Sequence, residues 1–400
     1  MSEARTGTTR PDAIVVGAGV GGLAAATALH RRGWAVVVLE RAPVIEPIGA
    51  GIAIAPNGLR ALDTIGVSAA VRSLAAINGS AALRRPDGRL LAPTSGAAFV
   101  ERFGEPMILA ERAELMRVLI AALPEGTLRT DAAVLDVDPG DADRRASVTT
   151  SAGTLSADVV VAADGIRSVV RRTLFPRHPG PSYAGFTTWR AIVPGREFTP
   201  GETWGRGRVF GAMPLADGRV YWYASANRPA GTTHGDERAE LLRLFGDWHA
   251  PIRQLIESAA AERILHLDVH AMAEPLPAHH VGRTVLLGDA AHAMTPNLGQ
   301  GGNQALEDAV EVADVLSAAT ADTVVDALPG YTERRLARTT AIVRASRRMG
   351  AMAQWESPVA VAVRDALLRA AGRFAPDAAL RPLDDVLAWR PPVSAFPGSS

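Results

Sequence analysis

Three glycines near the start of the chain have the spacing of a phosphate-binding turn. Gly17, Gly19 and Gly22 form the pattern G-x-G-x-x-G between an apolar run and an alanine-rich segment. The free N–H groups and positive dipole at a helix start can hold a pyrophosphate, which glycine allows to come close. Glu40 ends the next apolar run, where a carboxylate can accept hydrogen bonds from a ribose but repels a 2′-phosphate. The stretch therefore predicts a site for FAD or NAD rather than NADP.

Two further acidic residues follow predicted buried strands, and each has a glycine beside it. Asp164 ends a strand predicted over residues 158–163, and Asp289 follows one predicted over 284–287. Open α/β sheets bind ligands at the carboxyl ends of their strands, so both carboxylates are candidates for that edge. For Asp164 a capped strand-to-helix turn is an equal alternative.

A glycine-rich loop precedes a helix that the pattern predicts from Asn303 to Leu316. The loop contains Pro296, Gly299, Gly301 and Gly302. Such a backbone can lie against a flat ligand, and the following helix would point its N-terminus at that ligand. We expect this helix end to stabilise negative charge on a bound ring system.

The elements that must position these residues fall into two groups. Strands and helices alternate through the glycine motif, which predicts an α/β domain with a mainly parallel sheet. After a predicted linker at 176–182 come β-type segments over 186–193, 209–215 and 220–225. Alternation places Tyr221 and Tyr223 on one face of the last segment. An aromatic-lined cavity and a plain core remain equal alternatives for that face.

Helical patterns cover most of the remaining chain. We predict helices over 59–65, with Asn57 as N-cap, over 107–119, with Arg112 near its start, and over 332–354 and 358–374. A solvent-exposed helix face is the simpler explanation of Arg112 taken alone. The histidines are too far apart, or too clearly in loops, to predict a metal site.

Composition excludes several kinds of chemistry. The 400-residue chain has no cysteine, and all 42 of its basic residues are arginine, so thiol, disulfide, P-loop and Schiff-base chemistry are absent. With 42 acidic residues the formal net charge is zero, which favours no nucleic-acid partner. The first ten residues do not resemble a signal peptide and no window predicts a membrane span, so we expect a cytoplasmic protein.

Taken together, the motifs resemble those of a known enzyme family. GAGVGG with Glu40, the Asp164 motif AADGIRSVVR and the Asp289 motif LLGDAAHAMTPNLGQGGNQALEDA resemble the signature of the single-component (group A) FAD-dependent aromatic monooxygenases. This is the para-hydroxybenzoate hydroxylase-like family. The loop IGAGIAIAPNG and the segment LAERAELMRVL also resemble family elements, and the likeness extends from about residue 13 to 340.

The resemblance implies roles for individual residues. FAD would be held by the glycine motif, by Glu40 and by Asp289. Arg112 would lie near the pyrophosphate or the ribityl chain of FAD. Asp164 would link the binding of the flavin to that of the nicotinamide cofactor. The implied cofactor-binding set is Gly17, Gly19, Gly22, Glu40, Arg41, Gly51, Arg112, Asp164, Asp289, Pro296, Gly299, Gly301, Gly302 and Asn303. The implied substrate-lining set is Arg190, Met213, Tyr221, Tyr223 and Pro296.

The resemblance also implies a reaction. NADH or NADPH would reduce the flavin, O₂ would form a flavin C4a-hydroperoxide, and its OH group would pass to an aromatic or heteroaromatic small molecule. Epoxidation, N-hydroxylation or dehydrogenation on the same fold are alternatives, as is a non-catalytic flavin-binding protein. Urate hydroxylases would use an arginine at the strand position of Val209, which argues against urate. Phenolic acids, N-heteroaromatics and polyketide intermediates are the candidate substrates, and the residues do not predict an oligomeric state.

The implied fold is a Rossmann-type FAD-binding domain with an inserted β-sheet substrate domain and C-terminal helices. We predict that residues 11–76, 103–181 and 270–340 form the FAD-binding domain, that 77–102 and 182–269 form the substrate domain, and that 341–400 form the C-terminal helical region.

Overall fold

The computed structural model describes residues 10–45, 50–77, 81–374 and 380–392. Gly49 of the predicted glycine loop and the end of the predicted C-terminal region lie outside these residues. The strands are β1 (Asp12–Val16), β2 (Ala35–Leu39), β3 (Gly51–Ile54), β4 (Ala76–Ile77), β5 (Ala81–Arg84), β6 (Leu90–Thr94), β7 (Ile108–Glu111), β8 (Leu128–Arg129), β9 (Val134–Asp138), β10 (Ala146–Thr150), β11 (Gly153–Ala157), β12 (Val159–Ala162), β13 (Pro181–Val193), β14 (Gly201–Trp204), β15 (Arg208–Pro214), β16 (Val220–Asn227), β17 (Leu265–Met272), β18 (His280–Val281) and β19 (Thr284–Leu286).

The α-helices surround two large sheets. They are α1 (Val20–Arg31), α2 (Pro56–Thr64), α3 (Ser68–Ser73), α4 (Gly96–Phe103), α5 (Arg112–Ala121), α6 (Val169–Leu174), α7 (Glu237–Phe245), α8 (Ile252–Glu257), α9 (Asp289–His292), α10 (Gly301–Val315), α11 (Val324–Ala353), α12 (Pro358–Phe374) and α13 (Asp384–Leu387).

The first large sheet has six strands in the order β18-β19-β12-β1-β2-β8. All of its pairings are parallel except that of β18 with β19. Alternate residues along β1 enter different cores, since Val15 packs with Val161 on one face and Ile14 with Val160 on the other. Both faces are covered, as a parallel sheet requires. The α/β class predicted from the sequence is confirmed.

The second large sheet has seven strands in the order β17-β13-β16-β15-β14-β5-β6. On one face Trp189, Trp222 and Phe210 pack against α7 and α8, with Phe245 and Leu255 closing this core. The opposite face of β16 carries the two tyrosines discussed above, as the alternation predicted. That face is directed toward the loop before β3 and toward β7.

Two local predictions are wrong. The helix predicted over 107–119 begins only at Arg112, because residues Ile108–Glu111 form β7 and pair with β3 and β4. Strand pairing therefore overrides the helical pattern of that segment. Asn57 is not an N-cap, since Ala55 occupies that position and the Asn57 side chain is buried, where it donates to Gln300 and Glu307.

Other boundaries move by a few residues. β13 begins at Pro181, inside the predicted linker, and α10 begins at Gly301 rather than at Asn303. α11 begins at Val324 and runs unbroken past residue 340, where we predicted a domain boundary. The division into domains stays a prediction.

Candidate functional site

Four residues from the sequence motifs lie along one edge of the six-stranded sheet. Glu40, Gly17, Asp164 and Asp289 follow β2, β1, β12 and β19 in that spatial order. These strands are adjacent and parallel, so their carboxyl ends form a continuous crevice edge. Residues separated by more than 240 positions in the sequence thus form one site.

The glycine turn is shaped by close backbone contacts on one side and open space on the other. A Cβ on Gly22 would lie 1.9 Å from the Gly17 carbonyl oxygen, and a Cβ on Gly17, whose φ is +100°, would lie 2.5 Å from that of Ala163. A Cβ on Gly19 would meet no atom within 4 Å. Gly19 is the N-cap of α1, so the open space lies directly in front of the helix N-terminus. This arrangement fits a pyrophosphate group.

Glu40 closes the crevice beside this turn. Its carboxylate accepts hydrogen bonds from the backbone N–H groups of Ala18, at 2.8 Å, and Ala42, at 2.9 Å. Two backbone donors fix the orientation of the carboxylate, which remains partly accessible for a ribose hydroxyl. The neighbouring Arg41 is exposed.

The two carboxylate oxygens of Asp164 differ in their hydrogen bonding. Oδ2 accepts hydrogen bonds from the backbone N–H groups of Val169, at 2.7 Å, and Val170, at 3.2 Å, at the start of α6. This is the capped turn that we considered as the alternative. The other oxygen, Oδ1, is buried and has no hydrogen-bond partner among the described residues. A buried oxygen of this kind is available to a ligand donor.

Arg171 connects the two acidic motifs and was not found from the sequence. It is buried, and it donates to the carbonyl oxygens of Ile166, at 2.6 Å, and Ala290, at 2.9 Å. Burial lowers its pKa, and the carboxylates of Asp164 and Asp289 oppose that shift. Arg171 therefore braces the loops that carry both acids.

Arg112 and Asp289 lie in a recess between the two sheets. Both side chains are solvent-accessible. Desolvation by the surrounding protein lowers the pKa of Arg112, the Asp289 carboxylate opposes this, and the guanidinium of Arg190 adds to it. Arg112 is also the first residue of α5, and its backbone N–H donates to the carbonyl oxygen of Ala50. The recess thus contains two cations and one carboxylate.

The glycine-rich loop forms the floor of this recess. A Cβ on Gly301 would lie 3.9 Å from Asp289 Oδ1, and one on Gly302 would lie 2.8 Å from Ile52 Cδ1. Pro296 and Gly299, in the 3₁₀ turn just before α10, are exposed. The N-terminus of α10 therefore opens into the recess beside Asp289.

The Asn303 side chain makes its hydrogen bonds within the protein. Its amide nitrogen donates to the carbonyl oxygens of Ala53 and Gly299, and its oxygen accepts from the N–H of Ala55. It is buried and joins α10 to the loop after β3. These three hydrogen bonds occupy the side-chain amide within the protein.

The opposite wall of the recess is the tyrosine face of the seven-stranded sheet. Arg190 on β13 is paired with Tyr223 on β16, and Tyr221 is paired with Met213 on β15. The two tyrosine rings are 5.9 Å apart, and a Cβ on Gly51 would lie 2.6 Å from the Tyr221 ring. The structure thus brings all four predicted substrate-lining residues of this sheet to one wall, which also contains apolar side chains.

Glu202 and Gly211 also belong to this wall, and neither was predicted from the sequence. The Tyr223 hydroxyl donates to Glu202, whose other oxygen accepts from Trp204 Nε1 at 2.7 Å. Gly211 lies between them, and a Cβ there would lie 2.2 Å from the Tyr223 ring. Burial, and then the charge of Glu202, raises the pKa of Tyr223 well above its ordinary value. The hydroxyl therefore remains a hydrogen-bond donor throughout the physiological pH range.

A buried ionic network lies beneath α10. Asp308 lies 2.6 Å from both His292 Nε2 and Arg335 Nε, and Arg335 also contacts Glu307 at 2.5 Å. Burial alone would raise the pKa of Asp308, but His292 and Arg335 outweigh it and hold that pKa well below its ordinary value. Asp308 Oδ2 also accepts the N–H of Gly288, so the network fixes the start of the Asp289 motif. His292 is therefore a buried member of this network.

His279, next to this network, gives a pH-dependent prediction. Burial, followed by the neighbouring His292, lowers the pKa of His279 to about 3. The unfolded chain takes up this proton near pH 6.5 and the folded chain does not, so stability falls as the pH drops below that value. We expect His279 to account for a loss of about 2 kcal/mol between pH 7 and pH 5. Urea unfolding of wild type and His279→Gln at both pH values checks this; an equal loss in the two proteins would contradict it.

Metal-binding clusters and membrane-spanning helices are both absent from the part of the chain that the structure describes. No group of three or more histidine, aspartate and glutamate side chains there could hold a metal ion. No helix of residues 10–45, 50–77, 81–374 or 380–392 is long and apolar enough to cross a membrane.

Comparison with known proteins gives consistent matches along most of the chain. The FAD binding domain family matches residues 10–346. The aurachin C monooxygenase/isomerase of Stigmatella aurantiaca is 38% identical over 362 residues, which cover 89% of this chain and 93% of that protein. The FAD-dependent urate hydroxylase of Klebsiella pneumoniae is 33% identical over 344 residues, covering 84% and 88%. The crystal structure of Klebsiella pneumoniae HpxO complexed with FAD and uric acid superposes with a TM-score of 0.89 at 28% identity, covering 96% of this chain and 99% of that one.

Proposed function

Since the chain belongs to the FAD binding domain family and is an FAD-dependent monooxygenase of aromatic compounds, we propose that the crevice from Glu40 to Asp289 holds the FAD and that the tyrosine wall holds the substrate. The resemblance stated from the motifs is confirmed. The assignment of individual residues is our proposal.

The residues along the crevice fit an extended dinucleotide. Glu40 would hold the adenosine ribose, the open space at Gly19 would take the pyrophosphate, and Asp289 with Arg112 would hold the ribityl chain and neighbouring phosphate. Support comes from the open space at Gly19 and from the placement of Asp289 beside the α10 N-terminus. FAD supplies the redox chemistry when it is bound. The protein orients the two ligands, and the N-terminus of α10 stabilises negative charge between them.

The observation that carries the substrate proposal is the unbalanced charge of Arg190. Among the residues that the structure describes, Arg190 has no carboxylate within ion-pair distance, yet it is half-buried. A half-buried guanidinium is stabilised by an anionic or strongly accepting ligand group. Around it lie apolar side chains, including Ile192, Leu215 and Leu265. We infer an aromatic or heteroaromatic substrate with one acidic oxygen, such as a phenol, enol or carboxyl group, and an apolar flank.

Substitution of Arg190 tests this inference. We expect Arg190→Met to retain FAD and to lose about 10–100-fold in kcat/KM, mainly through KM, because one charge-assisted hydrogen bond contributes about 1.5–3 kcal/mol. The probe is the compound that gives the fastest NAD(P)H oxidation in a panel of phenolic acids and N-heteroaromatics. Arg190→Lys should recover part of the loss, and Arg196→Met, at an exposed position, serves as the control. An unchanged KM in Arg190→Met would contradict the assignment.

We further propose that NADH or NADPH is the reductant and that Asp164 couples its binding to that of FAD. The free Oδ1 of Asp164, which is buried at the crevice edge, supports this role. The sequence has only one complete dinucleotide fingerprint, which agrees with a transient nicotinamide ligand.

Use of NAD(P)H and O₂ also supports the cytoplasm as the location. We also propose the division given above into an FAD-binding domain, a substrate domain and a C-terminal helical region, and the two large sheets support its two domains.

A second candidate reaction is hydroxylation followed by isomerisation of the product. It is favoured by the relative from Stigmatella aurantiaca, whose name gives both activities and whose identity to this chain, at 38%, exceeds the 33% of the urate hydroxylase. Both reactions add one oxygen atom, so mass alone does not separate them. An NMR structure of the product separates them, because only isomerisation changes the carbon skeleton or the position of the substituents.

A further inference from the structure

Helix α12 exposes a continuous apolar stripe. Val359 is 73% exposed, Val363 51%, Leu367 65% and Phe374 79%. The first three are four residues apart, and Phe374 continues the same side of the helix. Ala362, Ala366 and Ala370 are also exposed and lie between them. The 17-residue helix therefore presents one apolar face along its whole length.

The buried side of α12 contains a charged pair, whereas an ordinary surface helix turns apolar side chains inward. Arg364 and Asp365 are each 2% exposed. Arg364 donates to Asp365 and to the carbonyl oxygen of Gly205, and its guanidinium lies 5.4 Å from the Trp204 ring centre. Arg85 adds a second contact to Asp365 at 3.6 Å. This ion network fixes the rotation of the helix, so the apolar stripe cannot turn inward.

The exposed charges beside the stripe are positive. Arg369 and Arg373 are both exposed on α12, and the guanidinium of Arg373 lies 5.6 Å from the Phe374 ring centre. Asp365, the single acidic residue of this helix, is buried and paired. The outer face of α12 therefore combines apolar side chains with two cations and no anion, which matches an anionic apolar interface.

A second copy of the chain is a poorer occupant of this stripe. A 17-residue helix is about 25 Å long, and a stripe about 10 Å wide gives roughly 500 Å² for two facing copies. Stable dimer interfaces bury about 1,200 Å² or more. The outer face of α12 also has no anion that could pair with Arg369 and Arg373 of a facing copy. A lipid surface has neither limitation, since it needs no complementary shape and supplies anionic head groups.

We propose that α12 is an interfacial helix by which this enzyme docks on the surface of an anionic lipid bilayer. The stripe from Val359 to Phe374 enters the boundary between head groups and acyl chains, while Arg369 and Arg373 contact lipid phosphates. The proposal goes beyond the proposed reaction and does not depend on it.

Vesicle flotation of the purified, FAD-loaded full chain tests the proposal. The probes are phosphatidylcholine vesicles with and without 30 mol% phosphatidylglycerol. We expect the protein to bind the anionic vesicles. Either 0.5 M NaCl or the substitutions Arg369→Gln/Arg373→Gln should weaken this binding by about tenfold. The variant Val363→Glu/Leu367→Glu should lose binding by at least about tenfold. Both variants change exposed side chains, so FAD content and melting temperature should match wild type.

The control is Leu135→Glu, which places the same charge at another exposed apolar residue, 58% exposed on β9. It should bind as wild type does. Equal binding of wild type and Val363→Glu/Leu367→Glu would overturn the proposal, as would equal binding to vesicles with and without phosphatidylglycerol. A dimer seen by light scattering that Val363→Glu/Leu367→Glu converts to a monomer would assign the stripe to a second copy and overturn the proposal. Vesicle binding that occurs only after deletion of residues 393–400 would assign the stripe to the end of the chain itself and would overturn the proposal as well.

Discussion

Replacing Gly19 with valine is expected to abolish the retention of FAD while leaving the fold intact. The backbone of Gly19 has φ −72° and ψ 178°, which valine adopts without strain, and a Cβ there meets no protein atom within 4 Å. The added side chain would instead fill the space in front of α1 where we place the pyrophosphate. We expect at least about a 100-fold loss in FAD affinity, which is about 3 kcal/mol. Titration of apo-protein with FAD, followed by flavin fluorescence, measures this loss.

Two control variants make the Gly19 result specific. Gly235→Val changes an exposed glycine that also has no neighbour within 4 Å of an added Cβ, and should bind FAD normally. Gly22→Val should lower the melting temperature of the apo-protein, because its Cβ would lie 1.9 Å from the Gly17 carbonyl oxygen. The apo-protein of Gly19→Val should melt as the wild-type apo-protein does. Unchanged FAD affinity in Gly19→Val would show that the pyrophosphate does not lie at this turn.

The largest expected effect on stability comes from Arg335→Met. Arg335 is fully buried and contacts the carboxylates of Glu307 and Asp308, which are buried as well. Its removal leaves two buried carboxylates with fewer partners, which costs about 3–5 kcal/mol in the free energy of unfolding. We expect a value at the lower end, since Arg338 still contacts Glu307 and His292 still contacts Asp308. Urea unfolding of the apo-proteins measures the difference.

The preceding residue of α11 provides a matched control for this experiment. Arg334 contacts Glu311 and Asp314, but its side chain is 45% exposed, so Arg334→Met should cost no more than about 1 kcal/mol. Arg335→Met should also loosen the start of the Asp289 motif, because Asp308 holds the Gly288 N–H. Equal effects of the two substitutions would contradict a stabilising role for the buried network.

The residues that the sequence predicted well are those whose position follows from local pattern. Gly17, Glu40, Asp164 and Asp289 each end a short buried strand, and the rule that parallel strands present their carboxyl ends to ligands places them at one edge. The facing of Tyr221 and Tyr223 followed from strand alternation in the same way. None of these predictions required knowledge of contacts distant in sequence.

The features that the sequence did not predict depend on contacts between residues distant in sequence. Residues 108–111 have a helical pattern, but they form a strand that pairs with β3 and β4. Glu202 belongs to the tyrosine wall only because Tyr223 reaches it across Gly211, two strands away. Nothing in the run of arginines on α11 distinguishes the buried Arg335 from the exposed Arg334. In each case the decisive contact lies between elements that local periodicity does not relate.

We propose that the enzyme uses O₂ to place one oxygen atom on an aromatic substrate. The most direct measurement is mass spectrometry of the product formed by the FAD-loaded enzyme under ¹⁸O₂, with NADH or NADPH and the compound selected by the panel. We predict that one labelled oxygen enters the product and that NAD(P)H consumption matches product formation. Label that enters only from water would show that the enzyme is not a monooxygenase of this kind. NAD(P)H oxidation that gives peroxide and no oxygenated product with any member of the panel would show the same.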